Sequence, residues 1–176
     1  MKVLSHASLL VVAIGGLVAA ANASAADVTY YQSSTVSGNC QSFEPGVTNT
    51  LRNRALGVEN VGSSTLGMAC SFEPQTTASA SSGIPTSYTS LDLWFHGTPG
   101  QVVTCTVLTG HYWSASSFMS KSVTLNASGD GSLVWNSATT NWSTTTGKYG
   151  LSATCMLPPG VWATNSHFGY VSGNGA

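Results

Sequence analysis

The chain has 176 residues, of which 42% are hydrophobic and only 6% are charged, with a formal net charge of −1. This apolar fraction excludes an intrinsically disordered chain, and the near balance of acidic and basic residues excludes the basic surface that nucleic-acid binding requires. Polarity comes from 27 Ser and 21 Thr residues, a composition that favours a β-rich extracellular protein because Thr fits pleated, half-exposed surfaces.

The N-terminal segment has the three parts of a secretory signal peptide. Lys2 supplies a positive charge, Leu9–Ala21 is an uncharged apolar run, and Ala23-Ser-Ala25 provides the small residues that a signal peptidase requires. The apolar run has 13 residues, too few for a helix to cross a hydrocarbon core of about 30 Å. We therefore predict a signal peptide over residues 1–25, a single mature domain over residues 26–176 without a membrane span, and a secreted or periplasmic location.

Apolar and polar residues alternate through most of the mature chain, which is the period of a β-strand. The predicted strands, in chain order, are Val28–Gln32, Leu66–Phe72, Thr89–His96, Val102–Leu108, Lys121–Ala127, Ser132–Asn136, Tyr149–Met156 and His167–Val171. One segment, Thr48–Leu56, is predicted as a short helix with Arg52 and Arg54 on its solvated side. Because Gly and Pro clusters separate the strands, the pattern predicts an all-β fold, an antiparallel β-sandwich of the jelly-roll or immunoglobulin-like type.

Four cysteines, Cys40, Cys70, Cys105 and Cys155, lie in the mature chain, and an even number is typical of disulfide-bonded exported proteins. None has the short C-x-x-C spacing of a zinc site or a redox dithiol. Of the three pairings that four cysteines allow, we favour Cys40–Cys70 and Cys105–Cys155. Because Cys105 and Cys155 each lie on the apolar face of a predicted strand, we expect their disulfide to join the two sheets.

Several short motifs resemble, in their order along the chain, those of one group of proteins. The motifs are Cys40-Gln41, Gly57-Val-Glu-Asn60, Cys70, Leu91-Asp-Leu-Trp-Phe95, Val103-Thr-Cys105-Thr-Val-Leu108 and Ser152-Ala-Thr-Cys155-Met-Leu-Pro158. The layout is similar to that of a group of small exported proteins of Gram-negative bacteria that have four cysteines. The resemblance covers nearly all of the mature chain and implies a disulfide-stapled β-sandwich, but it implies no activity.

Aromatic residues are the best candidates for a binding site. In the predicted strand Thr89–His96, Asp92, Trp94 and His96 lie opposite the apolar face, so a tryptophan stands on the outer face between an acid and a histidine. An aromatic ring beside short polar groups suits stacking on a sugar ring, and it also suits a protein interface. The candidate binding residues are Asp92, Trp94, His96, Trp113 and Trp142.

The sequence contains no recognisable catalytic or metal-binding motif. It lacks a G-x-S-x-G nucleophile elbow, and a hydrolase would have to assemble His96 or His111 with Asp92. The segment Asn126–Ser132 resembles the start of a calcium loop, but Ser137 stands where a bidentate Glu is needed. We therefore expect a turn there, and no catalytic residue, metal or other cofactor.

These observations favour an exported non-enzymatic β-sandwich protein that binds a glycan or another protein, or that forms part of an envelope or extracellular matrix. One alternative is a small secreted hydrolase. The other is a fibre or pilus-like subunit that completes the sheet of a neighbour by donating a strand, which requires a free terminal segment with alternating apolar residues.

Overall fold

The structure is a computed structural model that describes residues 28–43, 50–73, 85–109, 117–136 and 150–172. The predicted signal peptide lies outside these residues. Within them, no helix has both the length and the apolar character needed to cross a membrane.

Over the described residues, the chain forms eleven strands in two antiparallel sheets. Sheet I contains β1 (Val28–Thr35), β3 (Leu51–Arg54), β4 (Gly57–Asn60), β6 (Pro85–His96), β9 (Asp130–Asn136) and β11 (Trp162–Ser172). Sheet II contains β2 (Cys40–Ser42), β5 (Leu66–Phe72), β7 (Val102–Thr109), β8 (Ser117–Thr124) and β10 (Leu151–Leu157). In sheet I the strand order is β3-β4-β11-β6-β9, and β1 also pairs with β11. In sheet II the order is β2-β5-β10-β7-β8.

The core lies between the sheets and follows from the two-residue period of the strands. In β7, for example, Val103, Cys105 and Val107 are fully buried, while the residues between them face outward. The predicted antiparallel β-sandwich with two disulfides is therefore confirmed. Each predicted strand overlaps an observed one, and Leu66–Phe72 has the predicted ends. The sequence pattern does not predict the short strands β2, β3 and β4.

The helix predicted over Thr48–Leu56 is wrong. The described part of that segment forms β3 and the turn into β4, with which β3 pairs through four residue pairs. Arg54 donates from Nε to Glu59 Oε2 across this hairpin at 2.8 Å, so it is held by an ion pair rather than lying on a solvated helix face. A Cβ atom at Gly57 would collide with the carbonyl oxygen of Ala163, so a glycine there allows β4 to approach β11 closely. These cross-strand contacts outweigh the local helical propensity.

The disulfides have the predicted pairing, Cys40–Cys70 and Cys105–Cys155, but Cys105–Cys155 does not have the predicted position. Each joins residues directly opposite each other in neighbouring strands of sheet II, with Cα–Cα distances of 4.0 and 4.1 Å. The expected bridge between the sheets is therefore wrong. The physical reason is strand order and register: β7 and β10 are hydrogen-bonded neighbours in sheet II, and their register places Cys105 directly opposite Cys155.

Candidate functional site

Strand β6 places Trp94 on the outer face of sheet I. Its neighbours Leu93 and Phe95 point into the core and are 1% and 2% exposed, whereas Trp94 is 38% exposed. Since β6 pairs with β11 on one side and β9 on the other, its register is fixed from both sides. Asp92 and His96 flank Trp94 on the same outer face, as the sequence predicts.

Trp94 lines an open groove of about 1100 Å³ on this outer face. Besides β6 itself, the wall residues come from four places: the end of β1, the β3–β4 turn, β11, and β9 with the turn before it. They include Thr35, Leu56, Ser132, Asn165 and His167. The groove therefore combines an aromatic ring with hydroxyl, amide and imidazole groups.

A bulge in β11 shapes the side of this groove. Ala163 lies opposite Phe95 and Asn165 lies opposite Trp94, which leaves Thr164 as an extra residue. The Thr164 hydroxyl donates to the Trp94 carbonyl oxygen at 3.3 Å. As a result, two consecutive residues of β11, Thr164 and Asn165, both line the groove.

Two histidine–carboxylate pairs flank Trp94. On one side, His96 Nδ1 donates to Asp130 Oδ1 at 2.8 Å, and this hydrogen bond lowers the pKa of the exposed Asp130 carboxyl. On the other side, His167 Nδ1 lies 3.7 Å from Asp92 Oδ2, across the β11–β6 pairing. Asp92 and His96 therefore have different partners. They do not form the Asp92–His96 pair that the hydrolase alternative requires.

Asp92 has an unusual environment for an outer-face carboxylate. Its Oδ1 atom is buried and has no hydrogen-bond partner within the part of the chain that the structure describes. Burial raises the pKa of Asp92, and the nearby His167 opposes this shift.

Two aromatic residues beyond the predicted candidates lie on this face. Tyr31, in β1, is 66% exposed and stacks on His167, with 5.4 Å between ring centroids. Trp162, at the start of β11, lies opposite His96, and the Arg54 guanidinium carbon is 5.6 Å from its ring centre. A signal for Trp162 exists, because it alternates with Val161 and Ala163 in a strand pattern. The signal for Tyr31 is weak, because Val28–Thr35 is mostly polar and shows no clear apolar face.

The remaining residues considered for binding, catalysis or metal binding are either outside the described residues or have structural roles. Trp113, Trp142 and His111 lie outside the described residues. In the segment that resembles a calcium loop, Asn126 Oδ1 accepts hydrogen bonds from the Ser128 amide and hydroxyl and from the Asp130 amide, which makes it the centre of a tight turn. Across the described ranges, no group of three or more His, Cys, Asp or Glu side chains is arranged to hold a metal ion.

The fold is similar to those of solved carbohydrate-binding modules. A xylan-binding module, CBM15, is 11% identical, with 82% of this chain and 98% of that chain covered and a TM-score of 0.50. TmCBM61, solved in complex with β-1,4-galactotriose, is 12% identical over 81% of this chain and 84% of that chain, with a TM-score of 0.39. No protein-family model and no curated protein matches the chain. The likeness to the xylan-binding module places the fold among the β-sandwiches.

Proposed function

We propose that this protein is an exported, non-enzymatic module that binds a glycan on the outer face of sheet I. The observation that carries the proposal is Trp94, which is partly exposed in a groove lined mainly by uncharged residues. Sugar rings have apolar C–H faces that stack on aromatic rings, and their hydroxyls bond to groups such as those of Ser132 and Asn165 around Trp94.

The position of Trp94 in the sheet supports this role. It lies on β6, which is hydrogen-bonded on both sides, and its neighbours Leu93 and Phe95 are anchored in the core. A residue held this way loses little conformational freedom when a ligand binds, which favours affinity.

Export is proposed from the predicted signal peptide over residues 1–25 together with the disulfides. Both disulfides are buried in sheet II, and such bonds persist in oxidising compartments such as the periplasm or the extracellular space.

The two alternatives have less support. For the hydrolase, the predicted His96 and Asp92 belong to separate pairs on either side of Trp94, and His111, the other predicted partner of Asp92, lies outside the described residues. For the fibre subunit, the segment that would be donated is already paired, because β1 contacts β11 through eight consecutive residue pairs from Val28 to Thr35.

The first prediction concerns Trp94→Ala. A glycan array screened with the purified protein should first identify a bound glycan. Titration calorimetry with that glycan should then show at least a tenfold loss of affinity in the variant. Because the ring is 38% exposed, the loss in the free energy of unfolding is smaller than the roughly 3–5 kcal/mol typical of a fully buried aromatic.

Phe118→Ala is the matched control, because Phe118 is a 70% exposed aromatic residue on the outer face of sheet II. It should bind as the wild type does. The proposal is contradicted if the wild-type protein binds no glycan on the array, or if Trp94→Ala retains full affinity while remaining folded by circular dichroism.

A further inference from the structure

Tyr31 presents a second flat aromatic surface next to the groove. One face of its ring lies toward β11, where it stacks on His167 with an interplanar angle of 21°. A Cβ atom at Gly169 would lie 3.0 Å from Tyr31 Cε1, so the ring occupies the space left by that glycine. Tyr31 is nevertheless 66% exposed, so much of its surface is open to solvent.

Strand register fixes the distance between Tyr31 and Trp94. Ser33 lies opposite His167, and His167 lies opposite Asp92. Tyr31 is two residues before Ser33, and Trp94 is two residues after Asp92, on strands that run in the same direction. With strands about 4.8 Å apart and a rise of about 3.3 Å per residue, the two Cα atoms are about 16 Å apart along a diagonal. One sugar ring cannot contact both aromatic residues, but a chain of several linked sugars can.

Polar groups lie along the same diagonal. In the strand register, His167 and Asp92 lie between Tyr31 and Trp94, with the His167 ring stacked on Tyr31 and its Nδ1 atom 3.7 Å from Asp92 Oδ2. The surface thus offers an aromatic, a polar and a second aromatic contact in succession, which suits the apolar faces and hydroxyls of an extended glycan.

The charge of this surface selects the class of glycan. Among the described residues that line the groove, Asp130 carries the charge at neutral pH, none is Lys or Arg, and Asp92 lies beside His167. A chain bearing carboxylates or sulfates would be repelled by the Asp130 carboxylate, whereas an uncharged chain would not.

We infer that the glycan is an extended, uncharged polysaccharide chain that spans the outer face of sheet I from Trp94 to Tyr31. This inference rests on the proposed function and adds the second stacking residue, the minimum length and the charge class of the ligand.

The test compares ligand lengths. The probes are xylo-, cello-, manno- and galacto-oligosaccharides of two and of six sugars, titrated into wild type, Tyr31→Ala, Trp94→Ala and the control Phe118→Ala. For the probe series that binds, we expect Tyr31→Ala to lose about fivefold to tenfold in affinity for the six-sugar chain. Its affinity for the two-sugar chain stays within twofold of wild type, whereas Trp94→Ala weakens both.

The outcomes separate the two claims. If Trp94→Ala weakens binding but Tyr31→Ala leaves the affinity for the six-sugar chain unchanged, or lowers both lengths equally, the extended-chain inference is overturned while the proposed function stands. If polygalacturonic acid binds as tightly as the neutral probes, the inference that the glycan is uncharged is overturned. If neither variant changes the affinity for any probe, the proposed function itself fails.

Discussion

Asp92 is the residue of the proposed binding face that departs most from an ordinary surface carboxylate. Its buried Oδ1 has no hydrogen-bond partner among the described residues, and Oδ2 lies 3.7 Å from His167, which is an ion-pair distance longer than a hydrogen bond. Burial, the largest effect, raises the pKa of Asp92. The ionised form is therefore held less well in the folded protein than in the unfolded chain.

This gives a prediction for Asp92→Asn. Because the folded-state pKa is above the unfolded value of about 3.9, the folded protein binds the proton more tightly. Stability is then lost as the pH rises through the folded-state pKa, and the variant avoids that loss. We expect Asp92→Asn to be more stable than wild type at neutral pH, with the advantage disappearing below the unfolded pKa of about 3.9. Urea unfolding at a series of pH values measures both.

Asp130→Asn is the matched control, with the opposite sign. The hydrogen bond from His96 lowers the pKa of Asp130, so the ionised form is the favoured one in the folded protein. This variant should be no more stable than wild type at neutral pH. A loss of stability in Asp92→Asn at neutral pH would instead show that the ion pair with His167 outweighs burial.

Some residues of this face can be predicted from the sequence and others cannot, for physical reasons. The outward orientation of Trp94 is predictable because Leu93 and Phe95 are large and apolar. The opposite orientation of the strand would expose both of them to water. Tyr31 is not, because β1 offers no apolar face to fix its orientation. The contribution of Thr164 depends on a bulge that exists only in the pairing of β11 with β6.

At the scale of elements, the disulfides reinforce pairing within sheet II. Cys40–Cys70 holds β2, a strand of three residues, against β5, and Cys105–Cys155 joins the neighbouring strands β7 and β10. Short strands such as β2 and those of the β3–β4 hairpin contain too few residues to show a clear alternation of apolar and polar side chains. Pairing with distant parts of the chain, which the sequence pattern does not reveal, stabilises them as strands. The inward direction of the cysteines is predictable from periodicity, but the sheet to which each strand belongs is not.

Removing either disulfide, by replacing both of its cysteines with alanine, should lower the free energy of unfolding without affecting glycan binding. The Cys105→Ala/Cys155→Ala variant opens a loop of 50 residues, and the chain-entropy model gives a loss of about 4 kcal/mol. For Cys40→Ala/Cys70→Ala, with a loop of 30 residues, it gives about 3.6 kcal/mol. Urea unfolding measures these losses. Both disulfides lie in sheet II, so the folded variants should keep wild-type affinity in the glycan titration, and a loss of affinity in a folded variant would argue against sheet I as the binding face.

At the scale of the whole molecule, side-chain packing holds the two sheets together over the described residues, since both disulfides lie within sheet II. Phe168 of sheet I meets Phe72 of sheet II at a ring-centroid distance of 5.8 Å, and it also contacts Tyr88 and Tyr170 at 6.4 and 6.1 Å. Alternation in the sequence predicts that such rings are buried. It cannot predict that Phe168 faces Phe72, because that contact joins residues on different sheets that are far apart in the chain.

Phe168→Ala tests this interpretation. Phe168 is fully buried at the contact between the sheets, so its truncation should lower the free energy of unfolding by about 3–5 kcal/mol. Phe168→Leu retains much of the volume and should lose less than Phe168→Ala, while Phe118→Ala, on the outer face of sheet II, should change stability by less than about 0.5 kcal/mol. Urea unfolding of the three variants gives the comparison. If Phe168→Ala lost no more than Phe118→Ala, the aromatic cluster would not hold the sheets together.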